Sequence, residues 1–127
     1  MTRPVRLLAL DVINDEGFKE VVCGKLDDYY KYLKCDCFDI THRKVGDKYF
    51  DIFCDDMGLF RDKPIVSAVD ELRQPMLVGN LIFAHHDKAG NTTSLTKEDM
   101  EYIQEHSLDL YDFDAGKHWQ AVYPLGY

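Results

Sequence analysis

The sequence predicts an α+β fold: a single domain with a largely antiparallel sheet of about five strands and two main helices. Three observations predict it. The chain has 127 residues, which is enough for one core and too few for two. Short apolar segments of strand type follow one another across turn signals, in the order β-β-α-β-β-(irregular)-β-α. Two segments, near 25–34 and 96–106, carry helical spacing or a helix start signal.

Val5 to Ile13 reads as the first strand. Leu7, Leu8, Ala9, Leu10 and Val12 place apolar groups on both of its faces, as in a central strand covered by a helix. Asn14-Asp15-Glu16-Gly17 is a turn signal, and Phe18 to Cys23 returns as the partner strand. Leu26, Tyr29, Tyr30 and Leu33 then share one helical face, with Asp27 and Asp28 in the first turn and Lys31 and Lys34 later, matching the helix dipole.

Cys35 to His42 and Tyr49 to Cys54 read as a hairpin around Val45-Gly46-Asp47, with Phe50 and Ile52 inward. Leu59 to Gln74 is irregular, and Pro64 excludes a long helix through its start. Met76 to His85 reads as one buried strand with Gly79 inside it, where a bulge or a close backbone approach is expected. Thr96 is the N-cap of the second helix, with Asp99 three residues on and a Leu95–Met100 hydrophobic staple. Residues 107–127 carry Leu108, Leu110, Tyr111, Phe113, Trp119, Val122 and Tyr123, and read as an extension docked on the body.

The formal charge of −8 disfavours direct nucleic-acid binding and attachment to an anionic membrane. No stretch approaches the roughly 18 apolar residues of a span. The apolar run after Met1 to Arg6 is too short for a signal-peptide core, so the expected location is cytoplasmic. Cys23, Cys35, Cys37 and Cys54 are then expected to be reduced, buried thiols. An exposed sheet edge is expected, which leaves the oligomeric state open.

Three stretches carry a family likeness. They are Arg6-Leu-Leu-Ala-Leu-Asp11 with its hairpin and helix; the paired strands from Cys35 to Cys54 with Asp55-Asp56-Met57-Gly58; and Val78-Gly79-Asn80-Leu81-Ile82-Phe83 followed by Ser94-Leu95-Thr96-Lys97-Glu98-Asp99. On these residues, roughly 5 to 106, the chain resembles a small domain-of-unknown-function family met in bacterial, phage and conjugative-element proteins. The shared motifs are structural, and the resemblance implies no active site.

Chemistry-bearing residues are few. His85-His86-Asp87, where a strand runs into a turn, are candidate metal ligands, although neighbours on a strand point to opposite faces. His42, His106 and His118 are possible further ligands, with no spacing to choose among them. Asp51, Asp55 and Asp56 form an acidic cluster near a turn without the register of a calcium loop, and a solvated turn is its ordinary meaning. Cys35 and Cys37, with Cys23, Cys54 or a histidine, have no recognisable zinc spacing. Phosphate-binding loops and the nucleophile elbow are missing, and no cofactor is implied.

The acids from Glu98 to Asp114 face no Lys or Arg in the same stretch. Glu98, Glu101, Glu105, Asp109 and Asp112 are therefore the candidate partner-binding residues. A solvated face is the ordinary meaning of such a run. The sharper reading is a non-enzymatic interaction protein that meets a basic protein partner, a DNA mimic included. The alternatives are a small metal-dependent enzyme and a small-molecule-binding domain.

Overall fold

The computed structural model describes residues 3–127. Met1 and Thr2, which open the stretch read as too short for a signal peptide, lie outside the described residues. Among the described residues eleven strands are formed: β1 (Val5–Asp11), β2 (Gly17–Cys23), β3 (Phe38–Val45), β4 (Lys48–Asp55), β5 (Val66–Val69), β6 (Pro75–Val78), β7 (Leu81–His86), β8 (Thr92–Thr93), β9 (Ser107–Asp112), β10 (Lys117–Val122) and β11 (Leu125–Gly126). Helices α1 (Leu26–Leu33) and α2 (Lys97–Glu105) are the two main helices, and a 3-10 turn at Gly58–Phe60 follows β4.

The expected α+β class with about five strands is corrected by this count. The protein is mostly β, 48% strand against 16% helix, and its strands form two sheets of seven and four. The larger runs β11-β3-β4-β7-β1-β2, with β8 added to β7, and the smaller runs β6-β5-β10-β9. The strands missing from the sequence reading are short or lie where no strand was assigned. Strands β5 and β6 have four residues each, and β8 and β11 have two, too few to show an alternating pattern.

The single strand expected over Met76 to His85 is two strands, β6 and β7, in different sheets. Gly79 breaks it, with a φ of +79° that other residues rarely adopt. Asn80, 1% exposed, locks the corner. Its Oδ1 accepts from the N–H groups of Val12 (2.8 Å) and Ile13 (3.1 Å), and its Nδ2 donates to the Tyr32 carbonyl (3.0 Å). The amide thus ties the ends of β1 and α1 to the chain passing between the sheets.

The alternation of side chains along the central strands builds two cores on one sheet. Leu8, Leu10, Phe50, Ile52, Leu81 and Phe83 share one face, where Met100 and Ile103 of α2 and Ala68 and Val122 of the smaller sheet cover them. Leu7, Ala9, Phe53, Ile82 and Ala84 share the opposite face, where α1 contributes Leu33, with Tyr29 and Tyr32 packed alongside. Helix α1 is only eight residues long, or roughly 12 Å. It therefore covers only part of its face.

The N-terminus of α2 is built as the sequence indicates. Thr96 Oγ1 accepts from the Asp99 N–H at 3.0 Å, and Asp99 reaches back to the Thr96 N–H at 3.4 Å. Residues 107–127 supply the β9–β10 hairpin of the smaller sheet and, through β11 paired with β3, one edge of the larger.

Candidate metal centre

The β3–β4 hairpin turns on Gly46 and Asp47, with Val45 opposite Lys48, so that His42 falls opposite Asp51. Gly46 holds a φ of +58°, and a Cβ there would lie 2.5 Å from the Tyr102 hydroxyl and 2.7 Å from His106 Nε2. The Tyr102 hydroxyl also accepts from the Asp47 N–H at 2.7 Å. Helix α2 thereby grips the hairpin tip and holds its register.

On the other side of β4, Asp51 pairs with Ala84 of β7. Alanine offers no bulk beyond Cβ, so the carboxylate can reach diagonally to His86, two residues along on the same face. Asp51 Oδ1 lies 3.0 Å from His42 Nδ1, and Oδ2 lies 2.6 Å from His86 Nδ1. The Asp51 side chain is 13% exposed, while the two imidazoles are half exposed. The His42 ring stacks flat on Tyr49, with centroids 5.1 Å apart. One shielded carboxylate therefore sits between two solvent-accessible imidazoles, beyond the end of α1 on the α1 face of the sheet.

Ligand atoms of His42, Asp51 and His86 all lie within 4.8 Å of one another, the one such group of three among the described residues. A tetrahedral cation with bonds of about 2.1 Å needs its ligands about 3.4 Å apart. Rotation of two half-exposed rings can supply the remaining contraction. Two imidazoles and a carboxylate suit zinc, iron or manganese, and three protein ligands leave a position for water or substrate.

The triplet His85-His86-Asp87 is not brought together. Strand β7 runs on through His86, so His85 faces α2 and His86 faces Asp51. His85 stacks on Phe50 and lies 3.1 Å from Asp99 Oδ2, where Lys48 approaches the other carboxylate oxygen at 3.8 Å. Asp87 turns its carboxylate to the N–H groups of Ala89 and Asn91, and the hydrogen bonds centred on Asn91 hold it below the usual carboxylate range.

Of the acidic cluster read near Asp51, Asp55 pairs in bidentate fashion with Arg61. The four cysteines are free and join no metal-binding group among the described residues, but only Cys23 is buried as expected: Cys35 and Cys54 are half-buried and Cys37 is exposed. Burial pushes the thiols of Cys23, Cys35 and Cys54 up to about 11.

Glu98, Glu101 and Glu105 lie on the solvent side of α2, and Asp109 and Asp112 are exposed on β9, the edge strand of the smaller sheet. Asp112 also accepts from the N–H groups of Asp114 and Ala115 in the following turn.

Sequence reasoning named all three residues of the metal set, though never together. The missing signal was the hairpin register: a two-residue turn at Gly46-Asp47 pairs 42 with 51 by counting alone.

No helix among the described residues is long and apolar enough to cross a membrane. No curated protein and no solved structure matches the chain. The sequence model of one family, a domain of unknown function, matches residues 7–107, and the chain belongs to that family, DUF3846.

Proposed function

We propose that the protein binds a divalent transition-metal ion through His42, Asp51 and His86 and uses the open coordination position toward solvent. The observation that supports this reading is the placement of Asp51, a shielded carboxylate within hydrogen-bonding distance of two imidazoles drawn from separate strands. A metal held there would polarise a bound water or a substrate oxygen. The four free thiols fit a reducing cytoplasm.

The test is elemental analysis and calorimetry on untagged protein, stripped with EDTA and then titrated with zinc and with manganese. Binding of an equimolar amount of one of the two, lost in Asp51→Asn and in His86→Ala, is the expected result. Failure of the wild-type protein to take up either metal overturns the reading.

A second reading rests on the acidic surface. Glu98, Glu101 and Glu105 follow a helical stripe on α2, and the chain continues directly into Asp109 and Asp112 on an edge strand with no intervening cation. A basic protein partner, including a DNA-binding protein whose phosphate contacts these acids would imitate, would be steered to this side. Reversal of Glu101, Glu105 and Asp109 to Lys should remove a salt-sensitive partner captured by the wild-type protein. Retention of that partner by the triple variant would reject the assignment.

A further inference from the structure

Beside the metal set, on the same face of the sheet, lies a groove of about 620 Å³. Its volume is within the range of small-molecule sites. Its floor continues the strands that carry the metal ligands. Ile40 is two residues before His42 on β3, Phe53 is two residues after Asp51 on β4, and Thr92 is the register partner of His86. Two residues of strand span roughly 7 Å, so the groove opens onto the metal set within the length of a small molecule.

The wall is aromatic, and the open floor is aliphatic. Tyr29 of α1 stacks on Phe53 with centroids 4.7 Å apart. Ile40 remains 55% exposed at the bottom of the groove, an apolar surface that α1 is too short to cover. Burial pushes the Tyr29 hydroxyl up to about 12, against the effect of its hydrogen bond with Thr92, so this wall stays neutral.

The rim carries the sign of the ligand. Among the described residues the charged ones lining the groove are Arg3 and Lys25, with no Asp or Glu in the lining, in a chain of net charge −8; Asp28 stands behind Lys25, its carboxylate accepting from the Gly24 and Lys25 N–H groups. A second hollow, of about 990 Å³ near the β9–β10 turn, carries acids and bases together and names no ligand.

From these three features we infer that the groove binds a small aromatic anion, with its ring on Ile40 between Phe38 and Tyr29, its acid group at Arg3 and Lys25, and its far end directed past Thr92 toward His86. Binding in the groove stands on the groove's own lining. Its role as the substrate position of a metal centre rests on the metal reading above.

The probe is 3-phenylpropionate, titrated by calorimetry and by chemical-shift perturbation into full-length protein in EDTA and again after zinc loading, with 3-phenylpropanamide as the neutral control. The expected result is binding of the acid in EDTA, with shifts at Ile40, Phe53 and Thr92. The amide and the Arg3→Gln/Lys25→Gln double variant should each bind about fivefold or more weakly. Ile40→Glu, which puts a like charge on an already exposed position, should abolish binding while leaving the melting temperature near that of wild type.

Equal affinity for acid and amide, or shifts elsewhere, overturns the inference. Because the EDTA arm contains no metal, a protein that fails to take up zinc but binds the acid rejects the metal reading and keeps the groove. A protein that takes up zinc and ignores the acid does the reverse.

Discussion

His42 and Asp51 face each other across the β3–β4 hairpin, with Nδ1 and Oδ1 3.0 Å apart, and this pairing exists only because a two-residue turn at Gly46-Asp47 fixes the register. A slip of one residue would send Asp51 to the opposite face, into the core beside Phe50 and Ile52. The turn is held by a left-handed Gly46 and by Tyr102 of α2.

Gly46→Ala therefore meets two obstacles at once, a φ of +58° and a Cβ pressed against Tyr102 and His106. It should destabilise the protein by about 1–3 kcal/mol. Zinc affinity should fall with it even though no ligand has changed. Urea denaturation and zinc titration of the same preparation check both effects.

Asn80 should be among the costliest polar side chains to remove. In Asn80→Ala the N–H groups of Val12 and Ile13 lose their shared acceptor, and the Tyr32 carbonyl loses its donor. Leaving buried backbone groups unpaired costs about 1–3 kcal/mol, and a cavity adds to that. The expected loss is about 3 kcal/mol in urea denaturation. Zinc binding by the surviving folded fraction should stay intact, since Asn80 lies at the far end of β7 from His86.

The capping of α2 carries a pH signature. Burial raises the Asp99 carboxyl, but the hydrogen bonds from Thr96 and the neighbouring His85 outweigh it and hold the group below its usual 3.8. A depressed folded value means that the contribution is complete above the unfolded value. It is lost as pH falls through the folded one. Asp99→Asn should thus be less stable than wild type at neutral pH, with the gap closing only below pH 3.8. Thr96→Ala, which removes the other half of the box, should cost about 1 kcal/mol. Denaturation curves of the three proteins across acid pH test this.

What could be read from the sequence was what local pattern encodes. The β1–β2 hairpin, α1, the β3–β4 pair and the Thr96 cap all rest on signals within about ten residues of each other. The second sheet could not be read in this way. Val122 pairs in parallel with Ala68, more than fifty residues away, and the four-residue strand at Val66–Val69 shows no period. The β9–β10 hairpin was legible in principle, since Leu108 and Leu110 alternate with Asp109 and Gly116 marks the turn. For the site, residue type was visible at His42, Asp51 and His86, but their meeting depends on strand order, with β4 placed between β3 and β7.

The cysteines offer a test of the fold independent of the metal. Burial lifts Cys23, Cys35 and Cys54 from 9.0 to about 11, whereas Cys37 is exposed. A rise of two units lowers the thiolate fraction near neutrality about a hundredfold, and the thiolate is the species that reacts. At pH 8 a disulfide reagent should modify the exposed Cys37 fastest, the half-buried Cys35 and Cys54 more slowly, and Cys23 only on the timescale of local opening, with all four reacting at once in guanidinium. Mass spectrometry of the partly labelled protein identifies the site. Rapid modification of Cys23, which is 1% exposed on β2 beneath α1, would mean that α1 does not cover that face and would take the wall of the aromatic groove with it.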